Sequence, residues 1–244
     1  MQESGVVDVQ SHTMTHAKYV SAPTLRGFYY GGFKGYHPIL NAHPQLRATY
    51  MRDPDFEKRL PAGFPLVEEA SAVVVKKKII NGEFIKETAQ LSAKHDLKNE
   101  AERAAYEKEA RQTADDYARA GKLIEGMEKD DDYRARLIYE IVDSKRIIEE
   151  HLVKPVQFLC WPHGDNNSGA HTLAKEAGYL ATTSGKMLRE QNEADRIPRI
   201  AADFENGPWM NRQKFHFKVA SHYRKQPYYA FLKLNELKNR ALRR

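Results

Sequence analysis

The chain has 244 residues, 41% of them apolar, which suits one large domain or one domain carrying a sizeable insertion. No stretch approaches the roughly 18–20 apolar residues of a membrane-spanning helix, the opening MQESGVVDVQ lacks the basic-then-apolar pattern of an export signal, and a single cysteine, Cys160, excludes a disulfide framework within the chain. The net charge of +6 is unevenly spread: residues 212–244 hold ten Lys/Arg and one acid, Glu236, while everything before them sums to −3.

In chain order, Gly5-Val6-Val7-Asp8-Val9 reads as a buried strand, rich in β-branched residues and ending at Ser11-His12. A strand that needs partners on both sides is an odd beginning for a domain, so an upstream segment is expected. Residues 28–71 interleave aromatics, Gly and Pro and read as irregular. Gly31, Gly32 and Gly35 lack the spacing and the Lys-Ser/Thr ending of a phosphate loop. The aromatics Phe28, Tyr29, Tyr30, Phe33 and Tyr36 read as local core, with sugar stacking as the alternative. Ala72–Val75 is a short strand candidate and Asn81-Gly82 a turn signal.

Residues 85–129, free of Pro and rich in Ala, Glu, Lys and Arg, predict one long exposed helix or two, with a thin stripe of Tyr106, Ala110, Ala114, Tyr117 and Gly121. A further helix is expected from Tyr133 to His151, burying Leu137, Ile138, Ile141, Val142, Ile147 and Ile148, and stopped by Lys154-Pro155. Val156–Trp161 reads as a strand running into the loop Pro162–Asn167, followed by a helix over His171–Gly178 and a strand at Tyr179–Thr183. A late strand is expected at Phe215–Val219 and an amphipathic basic helix from Tyr228 to Arg244, using Phe231, Leu232, Leu234, Leu237 and Leu242. This alternation argues an α/β layout.

The stretch Ser11-His12-Thr13-Met14-Thr15-His16 carries the chemistry. Two imidazoles four residues apart, at the end of a strand, can converge on one divalent ion if a turn starts between them. Alone, such a pair is also what two ordinary polar histidines look like.

Taken together, His12-Thr13-Met14-Thr15-His16, the loop Trp161-Pro162-His163-Gly164, the run Leu173–Thr183 and Arg196-Ile197-Pro198-Arg199-Ile200 resemble the polysaccharide deacetylases, metal-dependent esterases that remove acetyl groups from glycans. The resemblance covers residues 1 to about 35 and 140 to about 204. It implies a partial or deformed (β/α) barrel over residues 1–35 and 140–223. Residues 36–139 would then be a mostly helical insertion, first irregular and then a long charged helix, with 224–244 a basic terminal helix. It implies a divalent metal, zinc first, held by His12 and His16. Trp161, Pro162, His163, Gly164 and Asp165 would line the groove for an N-acetylated poly- or oligosaccharide.

The departures are specific. The family's Thr-Phe-Asp-Asp motif, which supplies the base and a metal ligand, would lie upstream of this sequence, and Asp8 does not replace it. Either the chain start is placed too far downstream or the chain is a truncated, weakly active relative. Cys160 stands where the family has an arginine. The family's general-acid motif has its nearest counterpart in Ala220-Ser221-His222, and Asp203 is a surrogate ligand candidate.

Two other function classes stand beside the hydrolase: a non-catalytic carbohydrate- or partner-binding relative, and a protein that meets nucleic acid or a membrane surface through its basic tail. No zinc-finger spacing or RNA-binding signature points to nucleic acid. The resemblance implies work outside the cytoplasm, although no export signal is present. The particular glycan, N- against O-acetyl, the native metal and the oligomeric state are not encoded legibly.

Overall fold

The computed structural model describes residues 8–31, 40–41, 43–53, 55–56, 61–184, 195–199 and 207–241. The chain divides into two compact units, Met1–Leu180 and Ala181–Arg244.

In the first unit, β1 (Lys18–Tyr29) pairs antiparallel with β2 (Phe64–Ser71), from Lys18 opposite Ser71 to Tyr29 opposite Phe64. The register shifts between Val20 and Leu25 and again between Leu25 and Gly27. Pro23 lies inside the first shift, where a residue without N–H costs the ladder nothing. A short helix, α1 (Arg47–Arg52), precedes β2. Gly63 enters β2 at φ +79°, where an added Cβ would meet the Ser92 Cβ at 2.9 Å and the Tyr106 ring at 3.1 Å. The Tyr106 hydroxyl donates to its carbonyl.

A second ribbon joins β3 (Lys78–Ile80) antiparallel to β4 (Ile124–Met127) and encloses two helices, α2 (Gly82–Ser92) and α3 (Glu100–Arg119). Both helices start at an asparagine. The Asn81 side chain accepts from the N–H of Glu83 at 2.9 Å and Phe84 at 3.3 Å, and Asn99 accepts from Ala101 at 2.9 Å and Glu102 at 3.3 Å. Asn81-Gly82 is therefore a helix start. Tyr106 and Ala110 pack with Phe28 in one small core, and Ala114 packs with Phe84 and Leu123 in another.

The main core forms further along. Helix α4 (Asp130–Ile138) passes through a π turn at Tyr139–Asp143 into α5 (Ser144–Leu152), which ends at Val153 in the left-handed region before Lys154-Pro155. Strand β5 is only Phe158–Leu159, because Trp161-Pro162 begins a single 3-10 turn, Pro162–Gly164. Helix α6 (Ser168–Glu176) is capped by the Asn167 side chain, which accepts from Ala170 N at 2.8 Å, and is closed by Gly178 at φ +86°. Val73, Ile141, Val156, Leu159, Trp161, Ala170, Ala174 and Tyr179 make one buried cluster.

The second unit contains a parallel pair, β6 (Ala181–Thr183) and β7 (Arg196–Ile197), and two helices, α7 (Pro208–His222) and α8 (Tyr228–Ala241).

The barrel expectation is overturned. The described residues form small sheets among helices and no closed barrel. A barrel needs a ring of staggered strands. Here the longest strand, β1, pairs antiparallel with β2 in a sheet of two, while β5, β6 and β7 are two or three residues long. Ala72–Val75 is a turn rather than a strand. The expected strand at Phe215–Val219 is the second half of α7. Most of the expected strand at 5–9, together with Phe33, Tyr36, Asp203, Ile200 and Leu242, lies outside the described residues.

Candidate functional site

The HTMTH segment is seated by its neighbours on both sides. Ser11 forms a single parallel bridge to Leu159: its N–H donates to Phe158 O at 3.3 Å, and its carbonyl accepts from Cys160 N at 2.9 Å. Just before it, the Gln10 side-chain oxygen accepts from the N–H of Gln157 at 3.0 Å and Phe158 at 2.9 Å. The end of β5 thus fixes where His12 emerges.

Beyond Ser11 the chain makes a turn with two non-glycine residues in the left-handed region, Thr13 at φ 66° and His16 at φ 55°. Such backbone costs free energy and persists only where surroundings hold it. Two residues do so. The Glu140 carboxylate, buried to 2% exposure, accepts from Met14 N at 3.0 Å, Thr15 N at 2.9 Å and the Thr15 hydroxyl. From another element, the Arg47 guanidinium donates to Thr15 O and, at 3.1 Å, to His16 O.

The imidazoles come together. The His12 and His16 ring centroids lie 5.0 Å apart, and His163 stands edge-on to His16 at 4.4 Å. His12 Nδ1 lies 2.6 Å from Cys160 O. A carbonyl only accepts, so Nδ1 carries the hydrogen and Nε2 keeps its lone pair for a ligand. Burial, and then the neighbouring His12, lower the His16 pKa below the ordinary value. His163 is pushed down to about 4, first by desolvation and then by Lys18 and His16. Both rings are neutral near pH 7, the form that donates to a metal.

Trp161 and Pro162 are buried and form the floor of the loop. His163 at φ 57° and Gly164 at φ 80° turn the chain sharply, which presents the His163 ring to His16 while leaving the residue exposed. Asp165 faces away into the fold, its carboxylate accepting from Ser71 N at 3.3 Å. The structure thus brings His12, His16 and His163 together on a Trp161-Pro162 base and gives Asp165 a positioning contact. His222 is the last residue of α7 in the second unit, its ring 5.2 Å from that of Tyr223. Asp8 pairs with Lys154, which lowers its pKa.

Two observations fit a divalent cation: the His12 tautomer, and a Thr13 hydroxyl buried between the two histidines with no hydrogen-bond partner among the described residues. Among the same residues, however, no group of three or more His, Cys, Asp or Glu side chains is placed to hold a metal ion. The pair fits as two ligands of an incomplete set.

Sequence reasoning missed Glu140 and Arg47. The signal for Glu140 was a lone acid inside the apolar set Leu137, Ile138, Ile141 and Val142. Where the helix passes through the π turn, Glu140, Ile141 and Ser144 face inward together. The Ile141 carbonyl accepts from the Ser144 hydroxyl and the Tyr179 hydroxyl, each at 3.1 Å. The Ser144 hydroxyl also meets that of Ser11 at 3.1 Å. Arg47 gave no local signal. Beside the turn lies an open cavity of about 620 Å³, lined by Met14, Thr15, Tyr19, Arg47, Arg136 and Glu140 among others; the histidine rings do not line it.

The lowered histidine pKa values carry a pH signature. A histidine depressed in the folded state binds a proton more readily unfolded, so its stabilisation is fully present above about pH 6.5 and fades as pH falls toward 4. Denaturant midpoints of the metal-free chain should rise between those limits, less steeply in His163→Asn. Parallel profiles for the two proteins would contradict the packing of His163 on His16. The exposed edge of His163 keeps the effect modest.

No family model matches the chain, and no curated protein matches it. Among solved structures it is similar to a de-N-acetylase from Aggregatibacter actinomycetemcomitans, at 16% identity and a TM-score of 0.41 over 88% of this chain; it spans 50% of the length of that one.

Proposed function

We propose that the chain is a deacetylase-like hydrolase acting on an N-acetylated glycan, with His12 and His16 as two ligands of a divalent metal, zinc first. The observation that carries the reading is the gathering of the HTMTH turn and the WPHG loop on one spot, with the His12 Nε2 lone pair left open by the bond to Cys160 O. When bound, such an ion supplies Lewis acidity toward an acetyl carbonyl. The chain's own residues do the rest. Cys160 O orients His12, Glu140 and Arg47 hold the strained turn that presents both rings, and His163 on its buried Trp161-Pro162 base walls one side.

A second reading, a glycan-binding relative without catalysis, is favoured by the missing third donor among the described residues. Metal analysis and acetate release separate the two. The purified chain should hold about one equivalent of zinc, lost in His12→Ala and in His16→Ala, and should release acetate from an N-acetylglucosamine oligomer. Zinc without acetate supports the binder. A chain that takes up no zinc, or takes it up equally in both alanine variants, sinks the metal-site reading.

A further inference from the structure

Helices α7 and α8 form a hairpin that carries a patch unrelated to the histidine site. The inner side of α8 is settled by its contacts: the Tyr228 ring lies 5.3 Å from His216 and 5.9 Å from Phe217, and Tyr228, Leu232 and Asn235 line a cavity of about 590 Å³ with Met210 and Phe217. The outer side is apolar as well. Ala230, Phe231, Leu234, Leu237 and Ala241 recur at helical spacing along one stripe and all are exposed, Phe231 to 58%, Leu234 to 62% and Leu237 to 60%. Trp209, at the start of α7, is 69% exposed. Single exposed apolar residues need no explanation, but a helix apolar on both faces does.

Charge indicates what covers the stripe. Residues 207–241 contain eight Lys/Arg and one acid, Glu236. Exposed Lys238 borders the stripe, while Lys233, closer to the inner side, reaches over the Tyr229 ring at 5.9 Å. A second copy of the chain would set cations against cations. A membrane surface with anionic headgroups accepts both features at once, the cations at the phosphates and Phe231, Leu234 and Leu237 in the acyl boundary. No helix among the described residues is long and apolar enough to cross a membrane.

We propose that the α7–α8 hairpin docks the chain on an anionic lipid surface through the outer stripe of α8 and its flanking lysines. This inference is independent of the deacetylase reading. The test is co-sedimentation of the full chain with vesicles of phosphatidylcholine plus phosphatidylglycerol, against phosphatidylcholine alone. Binding is expected to the mixed vesicles only. The Phe231→Glu/Leu234→Glu double variant should weaken it about tenfold or more, and Lys233→Glu and Lys238→Glu about fivefold each. Phe231, Leu234 and Lys238 are exposed and Lys233 is half-buried, so circular dichroism should show unchanged helicity. Should a variant fail to fold, Leu234→Trp, a reporter set in the stripe itself, decides: a blue shift on mixed vesicles beyond that of the unsubstituted chain supports docking, and an unmoved spectrum overturns it. Equal binding to neutral vesicles overturns the proposal. So does loss with the lysine variants but not with the apolar ones, which would mean a polyanion contact such as nucleic acid. A dimer broken by the double variant would assign the stripe to a second copy and overturn it too.

Discussion

Replacing Glu140 with alanine is expected to lower the unfolding free energy by about 3 kcal/mol. The substitution removes an acceptor that serves two backbone N–H groups and a hydroxyl in a partly buried turn. Each buried donor left unpaired costs about 1–3 kcal/mol, and Thr13 and His16 lose what keeps them in left-handed backbone. Glu140→Gln separates charge from geometry. Its amide oxygen can still serve the two N–H groups and its NH₂ can donate to Thr15 Oγ1, so it should cost about half as much. In the metal reading, Glu140→Ala should also weaken zinc binding about 10–100-fold, as loss of a residue that orients ligands does. Denaturant titration checks the first effect and a zinc competition assay the second. A Glu140→Ala protein as stable as the parent would show that Glu140 does not hold the turn.

The second large effect is at Trp161, fully buried in the main core and the base of the WPHG loop. Trp161→Ala should cost about 3–5 kcal/mol, the range for emptying a buried aromatic site. Trp161→Phe keeps most of the packing and should cost much less. The cavity left by alanine lies against Leu159, Val156 and Tyr179, which also seat the Ser11 bridge, so the histidine segment should loosen with it. Hydrogen exchange at Ser11 and Cys160 amides, whose bonds make that bridge, would register the loosening. Unchanged protection there alongside a large stability loss would uncouple the core from the site.

How much of this was legible follows from how local each cause is. The His12/His16 spacing, the WPHG loop and the Gly178 stop are short-range patterns, and the structure places each in a turn or cap of the expected kind. Strand β1 was not foreseen: its span includes Pro23 and Gly27, which a two-stranded ribbon with shifted register absorbs. The opposite error came from Phe215-His216-Phe217-Lys218-Val219, whose alternation mimics a strand while the fifteen-residue segment that contains it folds as a helix. The barrel failed for a related reason. Motifs borrowed from a family carry an expectation about distant pairing that only the whole chain can honour, and β1 pairs antiparallel with β2 in a sheet of two. Glu140 was hidden because its partners are more than a hundred residues away in sequence.

The five residues Tyr139–Asp143 give the chain a place where its length can change without turning the site. The wider turn already holds one residue beyond the α-helical count, so a deletion of one residue there would let an ordinary α-helix run through with both flanks facing as before. A deletion within α5 has no such slack: its buried face would rotate about 100° relative to Glu140, and the main core and the carboxylate clasp could not both be kept.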